Sequence, residues 1–207
     1  MKPKRFSYSP VTTSAAGLAS AVADTALSYP LSATTAGDLL GHLITVTGIA
    51  ATDHSLKTFT VTGTDANGFP QTEGIAGPNG AVAVATLKYF KTVTSVTVSA
   101  TTGADTFNIG WLVGATGPII QLNRNRANME TSLSVTITGT ISVTVQHTFD
   151  LIHGEVTTTP IWRPHATLAA QTSSADGNYA FPVVATRLLL VSVTNGATIV
   201  FQVVQGN

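Results

Sequence analysis

Cysteine is absent from this 207-residue sequence, which excludes disulfide staples and thiolate metal sites and removes any redox clue to compartment. Charge is scarce as well. Ten basic and ten acidic side chains cancel, leaving 10% of the chain charged, against about a quarter of an ordinary soluble domain. Such a balance offers no general basic field for nucleic acid and no acidic one for cationic partners. No apolar run approaches the roughly 18 residues of a membrane helix; the stretch Leu188-Leu189-Leu190-Val191 ends at Ser192. Hydrophobic residues still make up 43%, and much of the remainder is Thr, Ser, Gly and Asn, a composition that argues against disorder. A surface with net charge near zero resists association poorly, so it points to a protein covered by other copies or partners.

What is present is a strong period of two. His42-Leu43-Ile44-Thr45-Val46-Thr47, Thr58-Phe59-Thr60-Val61-Thr62, Thr92 to Ser99, Leu133 to Thr138 and Ile141 to Val145 alternate apolar with hydroxyl residues, as half-buried strands do. Turn signals separate them at Asp65-Ala66-Asn67-Gly68, Gly77-Pro78-Asn79-Gly80, Thr102-Gly103-Ala104-Asp105, Asp176-Gly177-Asn178 and Asn195-Gly196. No long helical period is visible. The expected fold is all-β, with two small β-sandwich domains, immunoglobulin-like or jelly-roll-like, over residues 37–113 and 131–207. The polar stretch 114–130, without alternation, reads as their linker. Both groups end alike, and each ending reads as a closing β-hairpin, the Asn195-Gly196 one with a type I′ turn. Residues 1–36 read as an extended N-terminal arm. A secretory signal is disfavoured, because Gly17, Ser20, Asp24 and Thr25 interrupt its apolar stretch.

Chemistry-bearing patterns are few. Asp53-His54 are sequence neighbours and diverge on a strand, so a dyad is not expected. His153-Gly154-Glu155 has i, i+2 metal-ligand spacing, with His147 or Asp150 as a third ligand, yet Gly154 favours a polar bend. Asp65 to Gly68 resembles the opening of a calcium loop, but Glu73 comes too early for its closing ligand, and a hairpin turn accounts for all four residues. A Gly-x-Ser-x-Gly elbow, a Ser-x-x-Lys motif and a phosphate loop are all missing. A hydrolase would need a site assembled from isolated residues such as Asp150, His153 and Glu155. The expectation is therefore no catalytic residues, no metal and no cofactor.

The candidate interface residues are basic and aromatic. Lys2, Lys4 and Arg5 cluster in the arm, and Arg124 and Arg126 in the linker; without interleaved aromatics they suit salt bridges to protein better than readout of nucleic acid. Ile161-Trp162-Arg163-Pro164-His165 places Trp162, Arg163 and His165 beside prolines that disfavour a central strand. Core packing is the default for Trp162, while such a cluster also suits an interface anchor or a platform for sugar rings. Trp111 and Phe107, on alternate residues of one strand, read as core.

The run Phe59-Thr60-Val61-Thr62-Gly63-Thr64-Asp65-Ala66-Asn67-Gly68, then Glu73, Gly77-Pro78-Asn79 and Lys88-Tyr89-Phe90-Lys91-Thr92-Val93-Thr94-Ser95-Val96, resembles small β-rich virion proteins of tailed bacteriophages. Phe181 to Leu188 and the terminal Phe201-Gln202-Val203-Val204-Gln205-Gly206 are similar to the carboxyl ends of such proteins. The resemblance implies a non-enzymatic structural role on a virion as a homo-oligomer. The first expectation is capsid decoration, with the neck or tail as alternatives. Its partners are then other virion proteins, with neither membrane nor specific nucleic acid. A carbohydrate- or receptor-binding module using Trp162, Arg163 and His165 is the reading from a different class.

Overall fold

The computed structural model describes residues 3–123, 130–152 and 160–206. It is all-β and falls into two compact units: an N-unit, Val11–Ala115, and a C-unit that joins Met1–Pro10 to Thr116–Asn207.

The N-unit contains β2 (Ser14–Val22), β3 (Gly41–Gly48), β4 (Thr58–Thr64), β5 (Pro70–Ala76), β6 (Val84–Phe90), β7 (Thr92–Val98) and most of β8 (Phe107–Thr116). One sheet runs β2–β8–β3–β6 and the other β5–β4–β7. Period-two alternation turns Phe59 and Val61 of β4 inward, against Phe107 and Ile109 of β8, and leaves the threonines facing out. Phe59 and Phe107 meet across the two sheets with ring centres 5.2 Å apart, and Tyr29 packs on both at 5.5 and 5.4 Å. Burial raises the Tyr29 hydroxyl to a pKa of about 12. β2 crosses β8 so closely that a Cβ on Gly110 would lie 1.9 Å from the Ser14 carbonyl oxygen, which is why glycine stands there.

The C-unit contains β1 (Lys4–Tyr8), β9 (Ile120–Gln121), β10 (Thr131–Thr138), β11 (Ile141–Thr148), β12 (Arg163–Pro164), β13 (Ala175–Tyr179), β14 (Ala185–Val193) and β15 (Thr198–Gln205). One of its sheets is ordered β1–β15–β10–β13, and the other β12–β11–β14 with β9 on the far side of β14. Inward residues of β10 and β15, among them Leu133, Val135, Ile199, Phe201 and Val203, are buried, as are Val143, Val145, Leu188 and Leu190 of β11 and β14. Tyr179 of β13 reaches across to the Thr186 hydroxyl of β14 at 3.2 Å.

The structure departs from the sequence expectation in three places. Residues 1–36 contain no free arm among those described: β1 pairs along its length with β15, β2 pairs with β8, and Tyr8, Leu18 and Tyr29 are core residues. The interruption of the apolar stretch at Gly17 reflects a bulged strand lying close over β8, where a Cβ on Gly17 would meet the Trp111 ring at 2.2 Å. The proposed linker contributes the end of β8 and all of β9, and Asn123 exchanges two hydrogen bonds with the Gln205 side chain. Finally, neither group closes in a hairpin. β7 and β8 lie in different sheets of the N-unit, and β14 and β15 in different sheets of the C-unit, so each turn is a sheet-to-sheet corner. At Thr194–Ala197 only Gly196 has a positive φ, at 84°, with Ala197 N–H donating to Thr194 O at 3.2 Å; this is type II geometry instead of type I′. The type I′ signature occurs at Ala26-Leu27, with φ of 50° and 64° between the paired Thr25 and Ser28.

Candidate functional site

Trp162, Arg163 and His165 lie around the short edge strand β12, as the neighbouring prolines predict, but they do not converge on one surface. Trp162 is half-buried against Ile119, Ile152, Val184 and Ala185. Its cation is Arg187 of β14, whose guanidinium lies 4.0 Å over the indole ring, held there by an Nε–H bond of 2.8 Å to Gln146 Oε1. Such a contact adds about 0.5–1 kcal/mol at a partly exposed site. Arg163 is exposed opposite His147 in the β11–β12 register. His165 is buried, donates from Nε2 to Asn178 O at 3.0 Å, accepts the Thr167 N–H at Nδ1 and packs on Tyr179. It is a core histidine tying the loop before β13 to that strand. Trp162 and Arg187 stand twenty-five positions apart, which left no local signal of their pairing.

Lys4 and Arg5 are exposed on β1; Lys2, Arg124 and Arg126 lie outside the described residues, as do His153 and Glu155. Asp150 is occupied by the Ile161 N–H at 2.6 Å and the Thr148 hydroxyl. No cluster of three metal-capable side chains occurs among the described residues. Asp65 serves its hairpin, accepting the N–H groups of Asn67 and Phe69 at 2.8 and 2.9 Å.

Two His–Asp pairs in the N-unit were not legible from spacing. His54 finds Asp105, fifty-one residues away, with Nε2 donating at 2.9 Å, while Lys57 Nζ donates to its Nδ1 at 3.2 Å and to Thr101 O at 2.6 Å. A hydroxyl bond from Thr52, the His54 bond and the nearby charges lower the Asp105 carboxyl below its usual value. His42 donates from Nδ1 to Leu112 O at 2.9 Å and from Nε2 to both Asp38 oxygens at 3.0 and 3.1 Å. A general base needs one ring nitrogen open to substrate. Here all four ring nitrogens are engaged inside the protein and both rings are buried, so these pairs lock loops in place.

What the C-unit does expose is an apolar patch. At the end of the sheet where β11 finishes and β14 begins, Thr148 and Ala185 are paired. Phe149 and Phe181 project just beyond them with ring centres 6.1 Å apart. They are 51% and 48% exposed, and Leu151 and Ile161 in the same loops are 44% and 64% exposed. Beneath the rings lies His147, edge-on to Phe149 at 5.4 Å and to Tyr179 at 5.3 Å. Its buried Nδ1 has no hydrogen-bond partner among the described residues. Burial, with His165 and Arg163 nearby, lowers its pKa. Neither phenylalanine stands out in the sequence, because each sits one or more residues outside the strand whose alternation marks it.

Comparison with known proteins adds no relative: no family model, no curated protein and no solved structure matches this chain.

Proposed function

We propose that this chain is a non-enzymatic structural protein of a bacteriophage particle, working by assembly with copies of itself and with other virion proteins. Decoration of the capsid exterior is the first placement, with neck or tail as the alternative. The observation that carries the assembly reading is the Phe149–Phe181 patch: two half-exposed aromatic rings 6.1 Å apart, with exposed Leu151 and Ile161 in the adjoining loops, on a chain with 10% charge. Clusters of this kind mark interaction surfaces, and aromatic anchors dominate interface energetics. The histidine–aspartate pairs spend their chemistry on internal hydrogen bonds, which also favours a structural role over catalysis. The phage placement is supported by the sequence resemblance alone.

Because β1 and β2 are paired within their own units, gripping by an N-terminal arm is replaced in this reading by contact through the aromatic patch. The test is the light-scattering mass of the purified chain, alone and mixed with empty phage shells or tails. A defined oligomer or saturable uptake by one component is expected, and Phe149→Ser with Phe181→Ser should abolish it with little change in thermal midpoint. A monomer indifferent to every component, or association untouched by the double variant, overturns the proposal.

A further inference from the structure

The carboxylates of this chain are almost all in use. Seven of the nine among the described residues accept hydrogen bonds within the chain. Asp38 and Glu73 each accept two backbone N–H groups. Asp176 accepts none from the described residues, and it does not stand alone. On the outer face of the β1–β15–β10–β13 sheet, the register places Arg5 opposite Gln202, Gln202 opposite Ser134, and Ser134 opposite Asp176. These four form one row across four strands, spanning roughly 14 Å at the usual inter-strand spacing of about 4.8 Å. None of them makes a side-chain hydrogen bond to another described residue. The intervening residues Val203 and Leu133 are buried, so the row faces solvent.

The same face is hollowed. Ser132 and Ser134 of β10 are short, while Gln202 and Val204 on one side and Asp176 on the other stand taller. Together they line a trough of about 350 Å³, at the lower end of ordinary small-molecule sites. We infer that this trough is a binding site for a neutral saccharide chain. Its lining supplies a carboxylate, a primary amide and serine hydroxyls, and the Arg5 guanidinium stands beyond it at the far end of the row. This combination supplies acceptors, donors and dual-function groups at regular intervals, as a chain of pyranose rings with vicinal hydroxyls requires.

Other ligand classes fit less well. The trough itself holds a single carboxylate, Asp176, with no second acidic side chain in its lining, and no cluster of three metal-capable side chains occurs among the described residues, too little to hold a cation. A peptide strand would need free backbone groups at a sheet edge or apolar pockets. The trough, however, is centred on β10, whose backbone is paired on both sides, inward of the outer edge of β13, and of its two large apolar residues Leu133 is buried and Val204 alone is exposed. The site is remote in the register from Trp162 and independent of the assembly surface, so its test can fail without touching that proposal.

The experiment is amide-resolved NMR of the full chain, titrated with neutral hexasaccharides of glucose, galactose and N-acetylglucosamine at millimolar concentration. Saturable shifts are expected at Ser132, Ser134, Gly177 and Gln202 with at least one probe. Asp176→Asn should weaken binding by roughly tenfold or more, the loss of one hydrogen bond to a charged group. Ser134→Phe, which fills the trough from a half-buried position on its floor, should abolish it. Trp162→Ala and the Phe149→Ser, Phe181→Ser pair should leave it unchanged. The thermal midpoints of the variants establish that each is folded. Absence of shifts with all three probes, shifts centred on Trp162, or undiminished binding by folded Ser134→Phe overturns the inference.

Discussion

Asp38 offers the sharpest test of how the N-unit is held together. Its buried carboxylate accepts the Val11 N–H at 3.1 Å, the Leu40 N–H at 3.1 Å and His42 Nε2 at 3.0 Å, joining the approach to β2 to the start of β3. Asp38→Ala removes all three acceptor contacts and leaves His42 facing a cavity. A buried donor left unpaired costs about 1–3 kcal/mol, and breaking a buried ion pair costs about 3–5 kcal/mol. The expected loss is therefore about 4 kcal/mol, the Val11 contact counting least because it is only partly buried. Asp38→Asn keeps one oxygen for a backbone N–H and can turn its amide toward His42 Nε2, so its loss should be about 1–2 kcal/mol.

Trp111 reports this region, since its ring lies 6.2 Å from His42 and its Nε1–H is bonded to Thr12 O. With Trp162→Phe as background, urea unfolding followed by Trp111 fluorescence isolates the N-unit. A loss of about 4 kcal/mol moves the midpoint by roughly 2–3 M at an m-value near 1.5 kcal/mol/M. The acid limb gives a second reading. Burial pushes the Asp38 carboxyl up, but the His42 bond and charge and the N–H groups of Leu40 and Val11 outweigh it and hold the group below its ordinary 3.8. The unfolded chain therefore takes up the proton first. This stabilisation is complete above about pH 5 and is lost as pH falls through 3.8 toward the lower native value, a loss that Asp38→Asn should lack. If Asp38→Ala lies within about 0.5 kcal/mol of the parent, a surface-like effect, or if Asp38→Asn is the worse variant, the reasoning fails.

Further expectations concern the turn, the first strands and His147. Ala26→Asn with Leu27→Gly places the preferred pair in a type I′ turn now made by two left-handed non-glycine residues, and should raise the thermal stability by about 1–2 kcal/mol. Deleting residues 2–30 removes β1, β2 and the buried Tyr8, Leu18 and Tyr29, so near-ultraviolet circular dichroism should report loss of native packing; a folded truncation would show that these strands are dispensable. His147 has a lowered pKa through burial, followed by His165 and Arg163, so the unfolded state binds its proton first. The stability of the C-unit, followed by Trp162 fluorescence, should fall as pH drops below about 6.5, and His147→Gln should flatten that limb.

Much of the local structure was legible in the sequence. Alternation in Thr58 to Thr62, Leu133 to Thr138 and Ile141 to Val145 marks strands because each side chain's burial is set by which face of its own strand it occupies. The Asp65–Gly68 hairpin was readable because Asp65 bonds to backbone two and four residues ahead. The edge position of Arg163-Pro164 followed from proline's missing donor. Partner choice was not encoded so locally. Nothing within a short window says that β1 closes against β15, that Asn195-Gly196 turns a corner between sheets, or that Arg187 and not Arg163 lies over Trp162. Nor does it say that Asp105 is the partner of His54. Those pairings are decided by register and sheet order, which depend on contacts between distant residues. The row Arg5, Gln202, Ser134 and Asp176 exists only because four strands from opposite ends of the chain are stacked in that order. The sequence alone therefore determined an all-β, low-charge protein and the strands it is made from, whereas the tertiary structure alone decided which side chains share a surface.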